Sequence, residues 1–150
     1  MSDVAVINNS KEDDKQYIVF CINGENFGID IAQINSIILM PNITFVPKMP
    51  EYFEGIMSLR GSVIPVINLR KRMNLEAKEY DKDTRIIVIN LEDDKMMGII
   101  VDEVKEVMNI TNDQIQVPSP YLKKEDSLIS GVGKKEDQLI SIFEVSKISA

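Results

Sequence analysis

The 150-residue chain carries 24 acidic and 17 basic side chains, a net charge of −7, 44% apolar residues and no histidine. That length supports one domain, or two very small ones sharing a core, and the apolar content is that of a globular protein. The acidic balance excludes a footprint for nucleic acid or for an anionic membrane, and the missing histidines exclude Ser–His–Asp and Cys–His catalysis, histidine zinc ligands and phosphohistidine.

Residues 1–14 are polar and acid-rich and read as a mobile tail, with no apolar stretch of signal-peptide length. A strand is predicted over Gln16–Ile22, turned by Asn23-Gly24, a strong hairpin signal, into a second over Asn26–Asp30. Cys21, the single cysteine, lies in the first strand and reads as a small buried hydrophobe of a reducing compartment. Ile31, Ile34 and Ile37–Ile38 recur at helical spacing and predict one or two helical turns, ended by Pro41. Between Pro41 and Pro47 lies Ile43–Val46, a four-residue stretch that reads as an edge strand. Phe45 is expected to join the core there, and Ile43 is the better candidate for an exposed contact.

The stretch Gly55–Met73, GIMSLRGSVIPVINLRKRM, is the most informative part of the chain. Arg60 and Gly61 interrupt a long apolar run. Ser62–Leu69 is apolar on both period-2 faces, so burial on both sides is expected, while Pro65 requires an edge or a bulge. Arg60 is either a structural tie across a seam or, flanked by apolar groups, an interface hot spot. Gly55 and Gly61 are assigned to backbone needs, positive φ or close approach. Leu69–Leu75 reads as a short helix whose Arg70, Lys71 and Arg72 form a basic face, solvated or, as the second reading, turned to an acidic partner surface.

Arg85–Leu91 and Met96–Val101 predict a hairpin across a charged turn, Glu92–Lys95, that lacks the ligand spacing of a calcium loop. Lys105–Ile110 continues as a strand, Thr111–Asp113 reads as a cap or turn, and Pro118–Ser127 as a surface loop. Leu128–Val132 and Gln138–Phe143 make a last hairpin bending at Gly131 and Gly133, and Glu144–Ile148 a terminal helical turn. Roughly nine or ten short strands at the spacing of barrels and sandwiches, several apolar on both faces, predict a mainly all-β protein of two small barrels with a shared core. No apolar run approaches the roughly 20 residues of a membrane span.

Enzyme readings are weak. Asp13-Asp14 precedes the first strand, unlike the acidic pair of a receiver domain. Asp30, Asp102 and Glu103 form a carboxylate site only if the fold gathers them. Gly131-x-Gly133 lacks the lysine and helix of a phosphate loop. An oligonucleotide-binding surface needs stacking aromatics, which are 6% of the chain with no tryptophan. No cofactor or metal is expected, and protein recognition is what remains.

The pattern carried by Gly55, Leu59, Arg60, Gly61, Pro65, Val66, Leu69 and Arg70 resembles the signature of CheW-type domains, the adaptors of bacterial chemotaxis. Tyr17–Ile37, Thr84–Val104 and Leu128–Phe143 resemble that family's opening, central and closing hairpins, so the likeness spans Lys15 to Ile148. It implies a single domain over residues 15–150, built from two intertwined five-stranded barrels of the OB or SH3-like kind. It further implies a cytoplasmic, non-enzymatic coupler between methyl-accepting chemoreceptor tips and the regulatory domain of the histidine kinase CheA. By position, Ile34, Arg60 and Ile86 line the receptor groove between the barrels, and Ile43 and Val46 contribute to the kinase contact. Ser36 and Asn68 stand where the family often has acidic residues, which leaves the ionic partner of Arg60 open, with Asp30 a substitute. The alternatives are a scaffold for a non-motility kinase pathway or a small histidine-free enzyme using a carboxylate or lysine.

Overall fold

A computed structural model describes residues 14–117 and 128–148. The tail expected over residues 1–14 lies almost wholly outside the described residues, and the loop expected over Pro118–Ser127 lies entirely outside them. Among the described residues eleven strands run in chain order: β1 (Asp14–Ile22), β2 (Glu25–Asp30), β3 (Ile34–Leu39), β4 (Phe53–Leu59), β5 (Ser62–Asn68), β6 (Arg85–Asn90), β7 (Met96–Val101), β8 (Glu103–Thr111), β9 (Ile115–Gln116), β10 (Ile129–Lys135) and β11 (Gln138–Phe143). They form a six-stranded sheet, β8-β1-β2-β11-β10-β9, and a five-stranded sheet, β3-β6-β7-β5-β4. The all-β expectation is met, with six strands in one sheet where five were expected.

The chain divides into two compact units. Within the first, which includes Asn26–Ala32 and the described residues from Lys105 onward, Tyr17, Val19, Met108, Ile110, Ile140 and Ile142 form a buried cluster with Ile115 packed on it. The second comprises Phe20–Glu25 and Gln33–Val104. Its core is Met57, Ile64, Val66, Ile86, Val88 and Ile100, flanked by Ile38, Met40, Ile43, Leu59 and Met96. Strands β6 and β7 are buried over most of their length, which suits their run of β-branched residues on both faces.

Tight turns set the registers. Asn23-Gly24, Arg60-Gly61, Asp93-Asp94 and Glu136-Asp137 all have positive φ at both positions, the mirror-image geometry that matches the strand twist of a hairpin. The last hairpin therefore turns at Glu136-Asp137, beyond the expected glycine bend. Gly131 and Gly133 lie inside β10 instead, and a Cβ on Gly131 would stand 2.8 Å from the Ile115 side chain of β9.

Three further expectations change. Ile31–Gln33 makes a single 3-10 turn, its Ala32 N–H donating to the Asp30 carboxylate, and the isoleucines that follow form strand β3 against β6. Helical spacing and a β-branched run coincide at these positions, and the vacant edge of β6 decides. Ile43–Val46 is no strand: only Thr44 bridges, to Ile56. Ser62–Asn68 is buried on both faces only in its second half, since Val63 is 68% exposed. Pro65 lies opposite Ile56 of β4, just before the β7 pairing begins at Val66, so its missing N–H costs no ladder bond.

Candidate functional site

The second unit presents two arginine sites at opposite ends of β5. At the first, β4 and β5 join through Arg60 and Gly61, at φ 51° and 84°. A non-glycine residue in this region is uncommon, and the neighbouring glycine makes the two-residue turn affordable. Arg60 is exposed, and among the described residues its guanidinium has no hydrogen bond or ion pair. Arg60 is thus no tie across a seam among those residues.

Strand register places its neighbours. Strand β5 runs parallel to β7 with Val66 opposite Gly98, and β7 runs antiparallel to β6 with Met97 opposite Ile89. Ile89 in turn faces Ile34 on β3. The Arg60 turn, the Glu92–Lys95 turn and half-buried Ile34 therefore share one end of the five-stranded sheet. Ile86 does not join them. It pairs with Ile38 and Ile100 toward the other end and is fully buried in the core cluster, so it gives a partner no surface.

Gly55 and Gly61 answer different needs. Gly55 has φ 147°, and a Cβ there would lie 2.1 Å from the Thr44 carbonyl oxygen. The edge segment can approach β4 only because that Cβ is missing, and Thr44 and Ile56 then exchange two backbone hydrogen bonds of 2.8 and 2.9 Å. Gly61 has open space around its missing Cβ, so its requirement is conformational alone. On the edge segment itself, Ile43 packs on the core cluster, Val46 is half-buried, and Phe45, expected inside, is 74% exposed.

At the other end of β5, Asn68 caps the one-turn helix Leu69–Arg72 by accepting from the Lys71 N–H, and its amide donates to Glu54. Asn68 thus sits a full strand away from Arg60 and is not the lost half of that arginine's ion pair. Ser36 donates to Asn35, and Asp30 lies 3.8 Å from Lys15. The basic run is not a solvated face. Arg70 grips Asp102 with Nε and Nη2, at 2.9 to 3.2 Å, and gives Nη1 to the Glu76 carbonyl. Lys71 pairs with Glu54 at 2.8 Å, and Arg72 lies 5.3 Å from the centroid of the Tyr52 ring.

Asp102 also accepts from the Asn23 N–H, at 2.9 Å, while its own N–H donates to Cys21. Burial pushes its carboxyl up, but the hydrogen bonds from Arg70 and Asn23 outweigh that and hold it below the ordinary value. The Asp102 hydrogen bond holds the Arg70 guanidinium above its own ordinary value. Tyr80, whose phenol is pushed up to about 12 by burial and by the Glu54 carboxylate, closes the far side of this cluster. A polar cleft beside it is lined by Cys21, Asn23, Arg70, Lys78, Asp83, Asp102 and Glu103, three carboxylates beside two cations. Asp102 is committed to Arg70, and Asp30, in the other unit, lies beside Lys15. Among the described residues no group of three or more acidic or cysteine side chains could hold a metal, and no helix is long and apolar enough to cross a membrane.

Sequence reasoning missed Phe45 and the Arg70–Asp102 grip. The three prolines around Phe45, which forbid a regular strand, were the available signal for the first.

Comparison with known proteins gives a consistent result. A profile of the CheW-like domain matches residues 16–150. The chemotaxis protein CheW of Helicobacter pylori is 34% identical over 143 residues, covering 93% of this chain and 86% of that protein. CheW of Bacillus subtilis is 36% identical over 135 residues, covering 89% and 86%. The crystal structure of the scaffolding protein CheW from Thermoanaerobacter tengcongensis matches with a TM-score of 0.83 at 34% identity, over 89% of this chain and 91% of that one.

Proposed function

Because the chain belongs to the CheW-like domain family, we propose that it is a non-enzymatic, cytoplasmic adaptor coupling methyl-accepting chemoreceptors to the histidine kinase CheA. An adaptor of this kind needs two surfaces that do not overlap and a rigid body to link them. The observation that carries the reading is Arg60: a cation without a partner among the described residues, held at the tip of a two-residue turn that fixes its backbone. An arginine presented this way beside apolar surface has the composition of an interface hot spot, and little of its binding energy goes to ordering the backbone.

The receptor surface is the end of the five-stranded sheet that holds Arg60 and Ile34. Ile86 serves it indirectly, as a buried support of β6. The kinase surface is the edge segment that carries Ile43 and Val46, bridged to β4 through Thr44.

Calorimetry against the regulatory domain of CheA and against a receptor-tip fragment tests this. Both should bind, and Arg60→Glu should impair the receptor step alone. Binding to neither fragment sinks the adaptor reading.

A further inference from the structure

The turn between β1 and β2 holds the only Asn-Gly pair of the sequence. Asn23 and Gly24 stand at φ 54° and 81°, both are exposed, and a Cβ on Gly24 would meet nothing within 4 Å. The Asn23 side-chain amide has no hydrogen-bond partner among the described residues. Every other described asparagine is followed by a residue with a side chain, in several cases a buried or half-buried leucine or isoleucine.

That pair has a chemistry of its own. A backbone nitrogen with no side chain beside it is free to reach Cγ of the asparagine before it, and glycine tolerates the backbone swing this needs. The Gly24 nitrogen bonds to Cγ of Asn23, its proton leaves with the side-chain nitrogen as ammonia, and a five-membered imide remains. Water then opens the ring. Attack at Cγ restores the backbone with an aspartyl side chain. Attack at the main-chain carbonyl reroutes the backbone through Cγ as an isoaspartyl link and frees the α-carboxylate. By either route a neutral amide becomes a carboxylate.

Position decides what that carboxylate meets. The Asn23 N–H donates to Asp102 at 2.9 Å, and Asn23 lines one cleft with Asp83, Asp102 and Glu103. Only Cα and Cβ separate that nitrogen from Cγ, so the new charge arises beside the carboxylate that grips Arg70. Lys78, the other cation of the cleft, is held by Asp81 at 3.2 Å. Like charges this close oppose each other, the more so where water is partly excluded.

We propose that Asn23 is a site of spontaneous deamidation, and that the carboxylate formed there loosens the hold of Asp102 on the turn and on Arg70. Folding protects the site only in part. Asp102 restrains the Asn23 N–H, whereas Gly24 has open space in which to move.

The test keeps the full chain in warm neutral buffer, samples it over days and weighs its peptides, with isoaspartate read by an isoaspartyl methyltransferase. Asn23 should convert ahead of every other described asparagine, to a mixture of the two links, and the converted protein should melt lower. Asn23→Asp supplies the charge without the rerouted backbone and suits the same positive φ. It should lower the unfolding midpoint by about 3 °C. The loss should shrink in high salt and nearly vanish in an Asp102→Asn background. If Asn23 is still an amide when other described asparagines have converted, the site assignment fails. If it converts but Asn23→Asp leaves the midpoint unchanged, or costs the same with and without Asp102, the charge does not act through that tie and the second half of the proposal falls. The salt series decides that point without any change at Asp102, a constant loss overturning it.

Discussion

Arg60 and Arg70 stand at the two ends of one strand, each directly after a leucine that packs inward, yet they live in opposite surroundings. Leu59 flanks the core cluster and Leu69 is fully buried. Arg60 then enters a turn at positive φ and meets no partner among the described residues. Arg70 enters a capped helical turn and closes on Asp102 with three contacts. Residue type is the same in both; what differs is whether the local backbone delivers the guanidinium to solvent or to a carboxylate in the bend between β7 and β8. One arginine is available for binding and the other is spent on the fold.

The largest effect should come from breaking the Arg70 end. Asp102→Asn keeps one acceptor oxygen but removes the charge facing a mostly buried guanidinium, and should destabilise the protein by about 3 kcal/mol in urea unfolding. A loss below about 1 kcal/mol would mean that the Glu76 carbonyl suffices and that the two arginines differ less than their geometry implies. Next is the Arg60 end. Arg60→Glu should weaken receptor-fragment binding about 30-fold, about 2 kcal/mol, and change stability by no more than about 0.5 kcal/mol. A marked fall in melting temperature would make Arg60 a structural residue after all.

Acid sharpens the same contrast with a smaller effect. The Asp102 carboxyl is held below its ordinary value of 3.8 in the folded state, so the fold favours its ionised form. That contribution is complete above the unfolded-state value and is lost as pH falls through the lower folded-state value. Between pH 5 and pH 2 the unsubstituted protein should therefore lose more stability than Asp102→Asn, and parallel curves would remove the ion pair from the account. Smallest of all, Gly61→Ala meets no neighbour and strains only the backbone, so thermal unfolding should report about 1 kcal/mol. A loss several times larger would show that the Arg60 turn is packed, not free.

Much of this was legible in the chain, and the gaps have physical causes. Asn23-Gly24 and the acidic turn before Lys95 announce hairpins because their residues tolerate positive φ. The turn at Arg60 hid because arginine is a poor advertisement for that backbone region and the apolar run seemed to pass through it. Strand β3 was obscured by isoleucines whose spacing fits a helix equally well, a tie that only pairing with β6 breaks. The basic run looked solvated because the partner of Arg70 lies 32 residues away, where no local pattern can point to it. Family likeness correctly indicated the fold. It also named Ile86, whose full burial follows from β6 standing between β3 and β7.

Asp102 joins Asn23 across 79 residues and Arg70 across 32. Closures of that span need much of the chain in place, so this tie is expected to form late in folding. An interaction absent from the transition state governs how long the native state persists, not how fast it is reached. In a chevron, Asp102→Asn should raise the unfolding limb and leave the folding limb where it was. The tie that sets Arg70 apart from Arg60 would then act as a latch on the lifetime of the folded state.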